Sequence, residues 1–308
     1  MNAAAKDYGR VGVLMGGWSA EREISLVSGR AVLAALETAG VDARGVDFGR
    51  DACDVLASGG FDRVFIALHG RTGEDGCIQG LLDILDLPYT GSGVVGSAVC
   101  MDKVTTKRIW NGSGLPTPAF TEFDAGTDPE FLAQRVGFPL IVKPALEGSS
   151  LGMRKVDLPD QVSGAHEQAA GYRCPVMAEA WVTGTEYTVA ILDGAALPMI
   201  RLETPREFYD YEAKYRAIDT QYIIPCGLSP RREREIQDLS LAAFRVTGAT
   251  GWGRVDLLID GQGDPWLIEV NTVPGMTDHS LVPMAAAAGG LSFGQLVLRI
   301  LDTAGTGK

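Results

Sequence analysis

Over the first ninety residues of the 308-residue chain, short apolar runs alternate with segments of helical period. Val11-Gly-Val-Leu-Met15 is a continuous apolar run closed by Gly16-Gly17, which predicts a buried strand and a tight turn. Behind it, Ile24, Val27, Ala31 and Ala34 recur at helical spacing. Ser19 is the expected cap of that helix, Glu21, Arg22 and Glu23 form its opening turn, and Gly40 ends it. Strands are predicted over 43–48 and 63–68, the latter rich in β-branched and aromatic residues, and a helix over 78–85 precedes Tyr89-Thr-Gly91. This β-α-β-α order implies a parallel sheet with helices on its faces.

The middle of the chain reads differently. A helix is expected over 102–110, a loop over 112–118, and strands over 138–143, 152–156 and 176–182, with a small-residue-rich helix over 159–170 between them. The runs 186–192 and 197–202 flank Asp193-Gly194, a hairpin signal. Residues 205–220 are polar, aromatic and charged without a period, a loop of functional length. A helix over 235–246, paired strands over 253–259 and 266–270, and a terminal helix over 291–301 complete the pattern. The length exceeds what one core usually spans, so two or three domains are expected.

Composition narrows the function classes. The formal net charge is −12 and the pI about 4.8, which argues against nucleic acid as a main partner but not against a local basic pocket. The five cysteines, Cys53, Cys77, Cys100, Cys174 and Cys226, are widely spaced, so a zinc site or disulfide framework is not expected and a reducing cytoplasm fits. The opening MNAAAKDYGR lacks the apolar run of a signal peptide, and the run 285–288 is too short to span a bilayer. A soluble, cytoplasmic protein without membrane insertion is the expectation.

Six segments carry candidate chemistry. On the C-terminal strand pair, alternation places Arg254 and Asp256 on one face, and Glu269 and Asn271 on one face of the partner. Three oxygen-bearing side chains then converge with one guanidinium, a hard donor set suited to Mg²⁺ and phosphate. The intervening Val255, Leu257, Ile268 and Val270 imply a half-buried hairpin rather than a solvated face with one ion pair. In Lys143-Pro-Ala-Leu-Glu-Gly-Ser-Ser-Leu-Gly152 a strand delivers a lysine into a Gly/Ser stretch able to wrap phosphate oxygens; an ordinary hairpin turn is the alternative, and no Walker A pattern is present. In Gly16-Gly-Trp-Ser-Ala-Glu-Arg-Glu23, Glu21 either holds an ammonium or complements the dipole of the helix start. His69 either packs as an ordinary core or surface histidine or, sitting just past a strand's C-terminal end, faces the edge where ligands gather in open α/β sheets. His279 and Ser280 either contact a carboxylate or cap the next helix, and Tyr209-Asp-Tyr-Glu-Ala-Lys-Tyr215 either closes over a ligand or forms a helical turn with i,i+4 pairs.

Taken together and in order, these segments resemble the D-alanine–D-alanine ligases of the ATP-grasp superfamily. The resemblance runs from Val11 to about Leu301 and rests on Gly-Gly-Trp-Ser-Ala-Glu-Arg-Glu, Ala-Leu-His-Gly-Arg, Tyr-Thr-Gly-Ser-Gly, Met-Asp-Lys, Lys-Pro-x-x-Glu-Gly-Ser-Ser, Tyr-Asp-Tyr-Glu-Ala-Lys-Tyr, Gly-Arg-Val-Asp and Glu-Val-Asn-Thr-x-Pro-Gly-Met-Thr. It implies an α/β protein of three-domain ATP-grasp architecture: an N-terminal parallel-sheet substrate domain over 1–101, a central ATP-grasp subdomain over 102–183, and a C-terminal ATP-grasp and catalytic domain over 184–308. ATP would be gripped between the second and third. By the same resemblance, Lys103 and Lys143 contact ATP phosphates, Glu179 and Glu186 read adenine and ribose, and the backbones of Trp181 and Val182 meet the adenine edge. Asp256, Glu269 and Asn271 hold two Mg²⁺, with Mn²⁺ able to substitute. Glu21 binds the first substrate's ammonium, linked to Ser149 and Tyr215, and His69 lies beside that substrate. Ser150 and Lys214 lie near the transferred phosphate, Arg254 and the Gly275 N–H form an oxyanion site, and Ser280 receives the second substrate's carboxylate.

The implied reaction is ligation of two D-alanines through an acyl phosphate, giving ADP and phosphate, for peptidoglycan precursors, in a homodimer. Two positions depart from the family: Ala180 stands where many relatives have Lys beside adenine, and Trp18 where Thr or Ser is common. The rival readings are a D-alanine–D-lactate or other ATP-grasp ligase, a non-catalytic nucleotide sensor, and a Rossmann dehydrogenase. The incomplete glycine pattern after the first strand disfavours the last.

Overall fold

The computed structural model describes residues 6–205, 219–277 and 279–308. Three sheets organise them. Val11–Gly16 (β1), Ala43–Phe48 (β2) and Arg63–Ile66 (β3) form a parallel sheet in the order β2-β1-β3, as the apolar runs predict. Its central strand is buried along its whole length, because the helix Arg22–Thr38 (α1) packs on it. Ser19 does not cap that helix: Glu21 is the N-cap, and the Ser19 hydroxyl accepts the Glu21 N–H while donating to the His69 carbonyl.

The second sheet is antiparallel, in the order β4-β7-β5-β6, from Phe120–Glu122 (β4), Leu140–Pro144 (β5), Arg154–Val156 (β6) and Val176–Ala180 (β7). It has its own apolar core, which includes Leu132, Val142, Val156, Ala165 and Ala178. The third sheet runs β11-β10-β8-β12-β13, with the short strand Ala195–Ala196 (β9) paired to β8; the others are Gly184–Leu192 (β8), Ile200–Glu203 (β10), Gln221–Ile223 (β11), Trp252–Asp260 (β12) and Pro265–Asn271 (β13). Asp193 and Gly194, both at positive φ, make the turn after β8 that Asp-Gly predicts.

Several short elements escape the periodicity: helices Ala52–Ser58, Val94–Met101 and Pro129–Arg135, and β4. Each offers only one or two turns or three residues, too little for a repeat to register. The helix Pro129–Arg135 does carry a start signal, since Asp128 accepts the Glu130 N–H ahead of a proline in the first turn. Ser229 and Pro230 start the next long helix, Pro230–Val246, in the same way, five residues before its apolar period begins.

One core joins the first and third sheets. Val13, Val32 and Phe65 belong to the same apolar cluster as Leu192, Trp252 and Leu296, and the helix Phe293–Asp302 packs on α1. The C-terminal ends of β1 and β3 are thereby held against β12, β13 and the loop that follows them. No single helix among the described residues is long and apolar enough to cross a membrane.

Candidate active site

Two cavities meet at this junction. One, of about 410 Å³, is lined by Glu21, His69, Glu74, Ser149, Arg254, Asn271, Gly275, His279 and Ser280 among others. The other, of about 490 Å³, lies between the second and third sheets and is lined by Lys143, Ser150, Glu179, Trp181, Val182, Glu186 and Asp256 among others. Lys103 and Glu269 line both, and their side chains meet at 3.3 Å.

The hairpin β12–β13 builds the boundary. In register, Arg254 lies opposite Asn271 and Asp256 opposite Glu269, so the four residues singled out by alternation do converge. Arg254 grips Asp256 with both prongs of its fork, Nε to Oδ1 at 2.8 Å and Nη2 to Oδ2 at 2.7 Å. Thr188, opposite Asp256 on β8, donates to Oδ1 at 2.6 Å. Alternation fails at one place. A bulge between Asp256 and Leu257 shifts the register by a residue, and Ile268 joins Glu269 in lining the second cavity instead of entering the core. Leu267 and Val270 are the buried residues of that strand, three apart rather than two.

Glu21 is buried at the start of α1, and the Ser149 hydroxyl donates to its Oε1. A Cβ at Gly70 would stand 2.7 Å from one Glu21 carboxylate oxygen, and one at Gly148 3.1 Å, so both glycines let backbone pass close to the acid. Ser149 and Ser150 both adopt left-handed φ, near 53° and 57°, a sparsely populated conformation that turns the loop between the two cavities.

His69 reaches across from the first sheet to the loop after β13. Its Nδ1 lies 2.8 Å from the Val273 carbonyl and its Nε2 3.1 Å from Ser28 Oγ, which also accepts the Met276 N–H. Glu74 stands 3.6 Å from Nδ1. Burial pushes the Glu74 carboxyl up to about 7, with His69 opposing. Burial works against a charged imidazole, yet Glu74, Glu21 and the Val273 carbonyl together outweigh it and hold His69 above its usual range. The pair therefore retains a proton to higher pH than either isolated group would suggest.

In the second cavity Glu179 is clamped by two lysines, Lys143 at 2.9 Å and Lys107 at 2.7 Å. Burial alone would raise Glu179; Lys107, then Lys143, hold its carboxyl below the ordinary range. The Trp181 N–H donates to the Pro139 carbonyl at 3.1 Å, and Lys155 sits 4.9 Å from the centre of the Trp181 ring. Ser280 occupies the first position before the helix Leu281–Ala288, but its hydroxyl turns back to accept the Thr277 N–H at 3.0 Å, leaving that helix without a side-chain cap.

The comparisons with known proteins address the whole chain. The model of the D-ala D-ala ligase C-terminus matches residues 109–302, and that of the D-ala D-ala ligase N-terminus matches 51–92. The chain belongs to the D-alanine–D-alanine ligase family. It is 57% identical over 299 residues to the D-alanine–D-alanine ligase of Methylococcus capsulatus, covering 97% of each chain. It is 59% identical over 297 residues to that of Alkalilimnicola ehrlichii, covering 96% of this chain and 95% of the relative. The crystal structure of the Bacillus anthracis ligase superposes with a TM-score of 0.86 at 34% identity, covering 96% of both chains. That of the same enzyme complexed with ATP gives 0.84 at 32% identity, with the same coverage. A mixed α/β fold with one parallel and two antiparallel sheets is therefore the family's own.

Of the residues the family resemblance assigns, sixteen lie among the described residues and line one cavity or both; Lys214 and Tyr215, with the loop motif Tyr209–Tyr215, fall outside the described residues. Sequence reasoning passes over Lys107, Thr188, Glu74 and Ser28. Lys107 lies one helical turn after Lys103, and Thr188 two strand positions after Glu186, so each shares a face with a residue already singled out. Glu74 carries no such signal; only the fold of its loop brings it to His69.

Proposed function

We infer that this protein ligates two D-alanines to D-alanyl-D-alanine at the expense of ATP, giving ADP and phosphate, as its family membership indicates. The observation that carries the reading is the pair of cavities sharing Lys103 and Glu269, which suits transfer of a phosphoryl group from a nucleotide in one to a carboxylate in the other. A carboxylate has no good leaving group, so it is first converted to an acyl phosphate; the second D-alanine's amine then attacks the carbonyl and phosphate departs.

Glu21, positioned by Ser149, receives the ammonium of the first D-alanine, and His69 flanks that substrate. Lys103, Lys143, Ser150 and Lys214 meet the phosphates; Glu179, Glu186, Trp181 and Val182 surround adenine and ribose. Arg254 and the Gly275 N–H stabilise the oxyanion of the tetrahedral intermediate, Ser280 takes the second carboxylate, and Tyr215 acts with Glu21 and Ser149. Asp256, Glu269 and Asn271 fit Mg²⁺ or Mn²⁺ by donor chemistry, being two carboxylates and an amide oxygen opposed across two strands. Among the described residues no three His, Cys, Asp or Glu side chains form such a set, so Asn271 is needed to complete it. The metal supplies charge neutralisation of the phosphates when bound. The division into domains at 1–101, 102–183 and 184–308, a homodimeric assembly, a cytoplasmic location and a role in peptidoglycan precursor synthesis belong to the same reading.

The test is phosphate release with ATP and Mg²⁺ against a panel of D- and L-amino acids, with D-lactate offered beside D-alanine. Release that depends on D-alanine, with the dipeptide as product, is expected. Release driven by an L-amino acid, or a D-alanyl-D-lactate product under competition, would replace the assignment.

A further inference from the structure

We propose that Lys107 is a positioning residue of the nucleotide site: from behind the cavity it carries the charge of Glu179, so that Lys143 is released to the phosphates of ATP. The proposal rests on the reading of the larger cavity as the ATP site. Lys107 is wholly buried on the helix Lys103–Gly112. Its ammonium is ion-paired with Glu179 Oε2 at 2.7 Å and donates to Thr117 Oγ1 at 2.6 Å and to the Leu267 carbonyl at 3.2 Å. It does not line the cavity, whereas Lys143, 2.9 Å from Glu179 Oε1, does. One carboxylate thus stands between a cation that faces the ligand and a cation that cannot reach it.

That asymmetry has a consequence when a polyanion enters. A buried carboxylate stripped of its only counter-ion is strongly unfavourable. Were Lys143 the sole partner of Glu179, it would stay clamped there and be of little use to a phosphate. With Lys107 behind, Lys143 turns to the incoming anion while Glu179 keeps a cation, and the cluster presents a net charge of one positive unit to the cavity. Lys107 also ties the site together. It and Thr117 both donate to the Leu267 carbonyl, two residues before Glu269 on β13, so the lysine spans the second and third sheets. The charged groups facing it are Glu179 on β7, Lys143 on β5 and Glu269 on β13; burial pushes its ammonium down to about 8, with Glu179 opposing.

Equilibrium binding of ATP, with Mg²⁺ and without amino acid, is measured for the wild type, K107M, K107R, E179Q and K107M/E179Q. K107M is expected to weaken ATP by about tenfold, K107R by less than about threefold, and K107M to cost less than about threefold in the E179Q background, where no carboxylate holds Lys143. An equal loss from K107M in both backgrounds, unaltered ATP binding by K107M, or K107R as weak as K107M would overturn the role. Should K107M fail to fold, K107Q, neutral but still able to donate to Thr117 and the Leu267 carbonyl, replaces it in both backgrounds with the same expected and overturning outcomes. A wild type that binds no ATP would overturn the functional reading, and this role with it, whereas ATP binding indifferent to Lys107 removes the role alone.

Discussion

Arg254 shows how a single residue's task changes once its partners are known. By spacing it is a cation beside oxygen ligands. In the fold both prongs of its guanidinium are engaged by Asp256, and it lines the smaller cavity with Gly275 but not the larger one. A fixed guanidinium costs no reorganisation when negative charge develops nearby, which is the requirement for stabilising an oxyanion. Arg254→Ala is expected to lower kcat by about 10²–10³-fold. ATP affinity should change little, because the side chain does not line the cavity proposed to hold ATP. Steady-state kinetics with both substrates varied checks this, and a variant with undiminished turnover removes Arg254 from the mechanism.

At the scale of elements, the decisive object is three adjacent strands rather than one hairpin. Thr188 on β8, Asp256 on β12 and Glu269 on β13 stand in one row across the sheet, and Thr188 fixes the Asp256 carboxylate through a 2.6 Å bond. Groups that orient a metal ligand from behind, the part Thr188 plays if Asp256 binds Mg²⁺ as proposed, typically matter by about 10–100-fold in metal affinity. Thr188→Val keeps the shape and the β-branch while removing the donor. It is expected to raise the Mg²⁺ concentration for half-maximal activity by about tenfold, at near-normal saturating turnover. A Mg²⁺ titration superimposable on the wild type would remove Thr188 from the site. The bulge at Ile268 belongs to the same scale. Periodicity of two reads a regular strand, and nothing in Trp-Leu-Ile-Glu-Val marks the extra residue; pairing with β12 decides it.

At the scale of the molecule, the apolar clusters do not follow the three sheets one to one. The first and third sheets share one core, the third sheet packs a second around Val189, Ile191, Val255 and Leu257, and the four-stranded sheet has its own, which includes Leu132, Leu140, Val142 and Ala178. That sheet also carries Lys143 and Glu179, so the larger cavity, proposed above to hold ATP, is bounded on one side by a sheet with a core of its own. Leu132→Ala opens a cavity in that core alone and is expected to cost about 2–5 kcal/mol there. Hydrogen exchange should then quicken at Val142 and Ala178 and stay unchanged at Val13 and Val32. A uniform rise across all four amides would show a single cooperative unit instead.

By itself the sequence determined the first sheet, the β8 turn and the β12–β13 pair, because a buried strand must be apolar and a tight turn needs its glycine. It also placed Arg254 with Asp256, and Glu269 with Asn271, on shared faces, since a period of two holds on either side of the bulge. Only the tertiary structure decided which charges meet. Lys107 and Glu179 are 72 positions apart, Glu21 and Ser149 128, and His69 and Val273 204. No local pattern records such distances. A buried charge is tolerated only where folding delivers a partner to it, so the pairing of Lys107 with Glu179, like that of His69 with Glu74, is a property of the packed molecule.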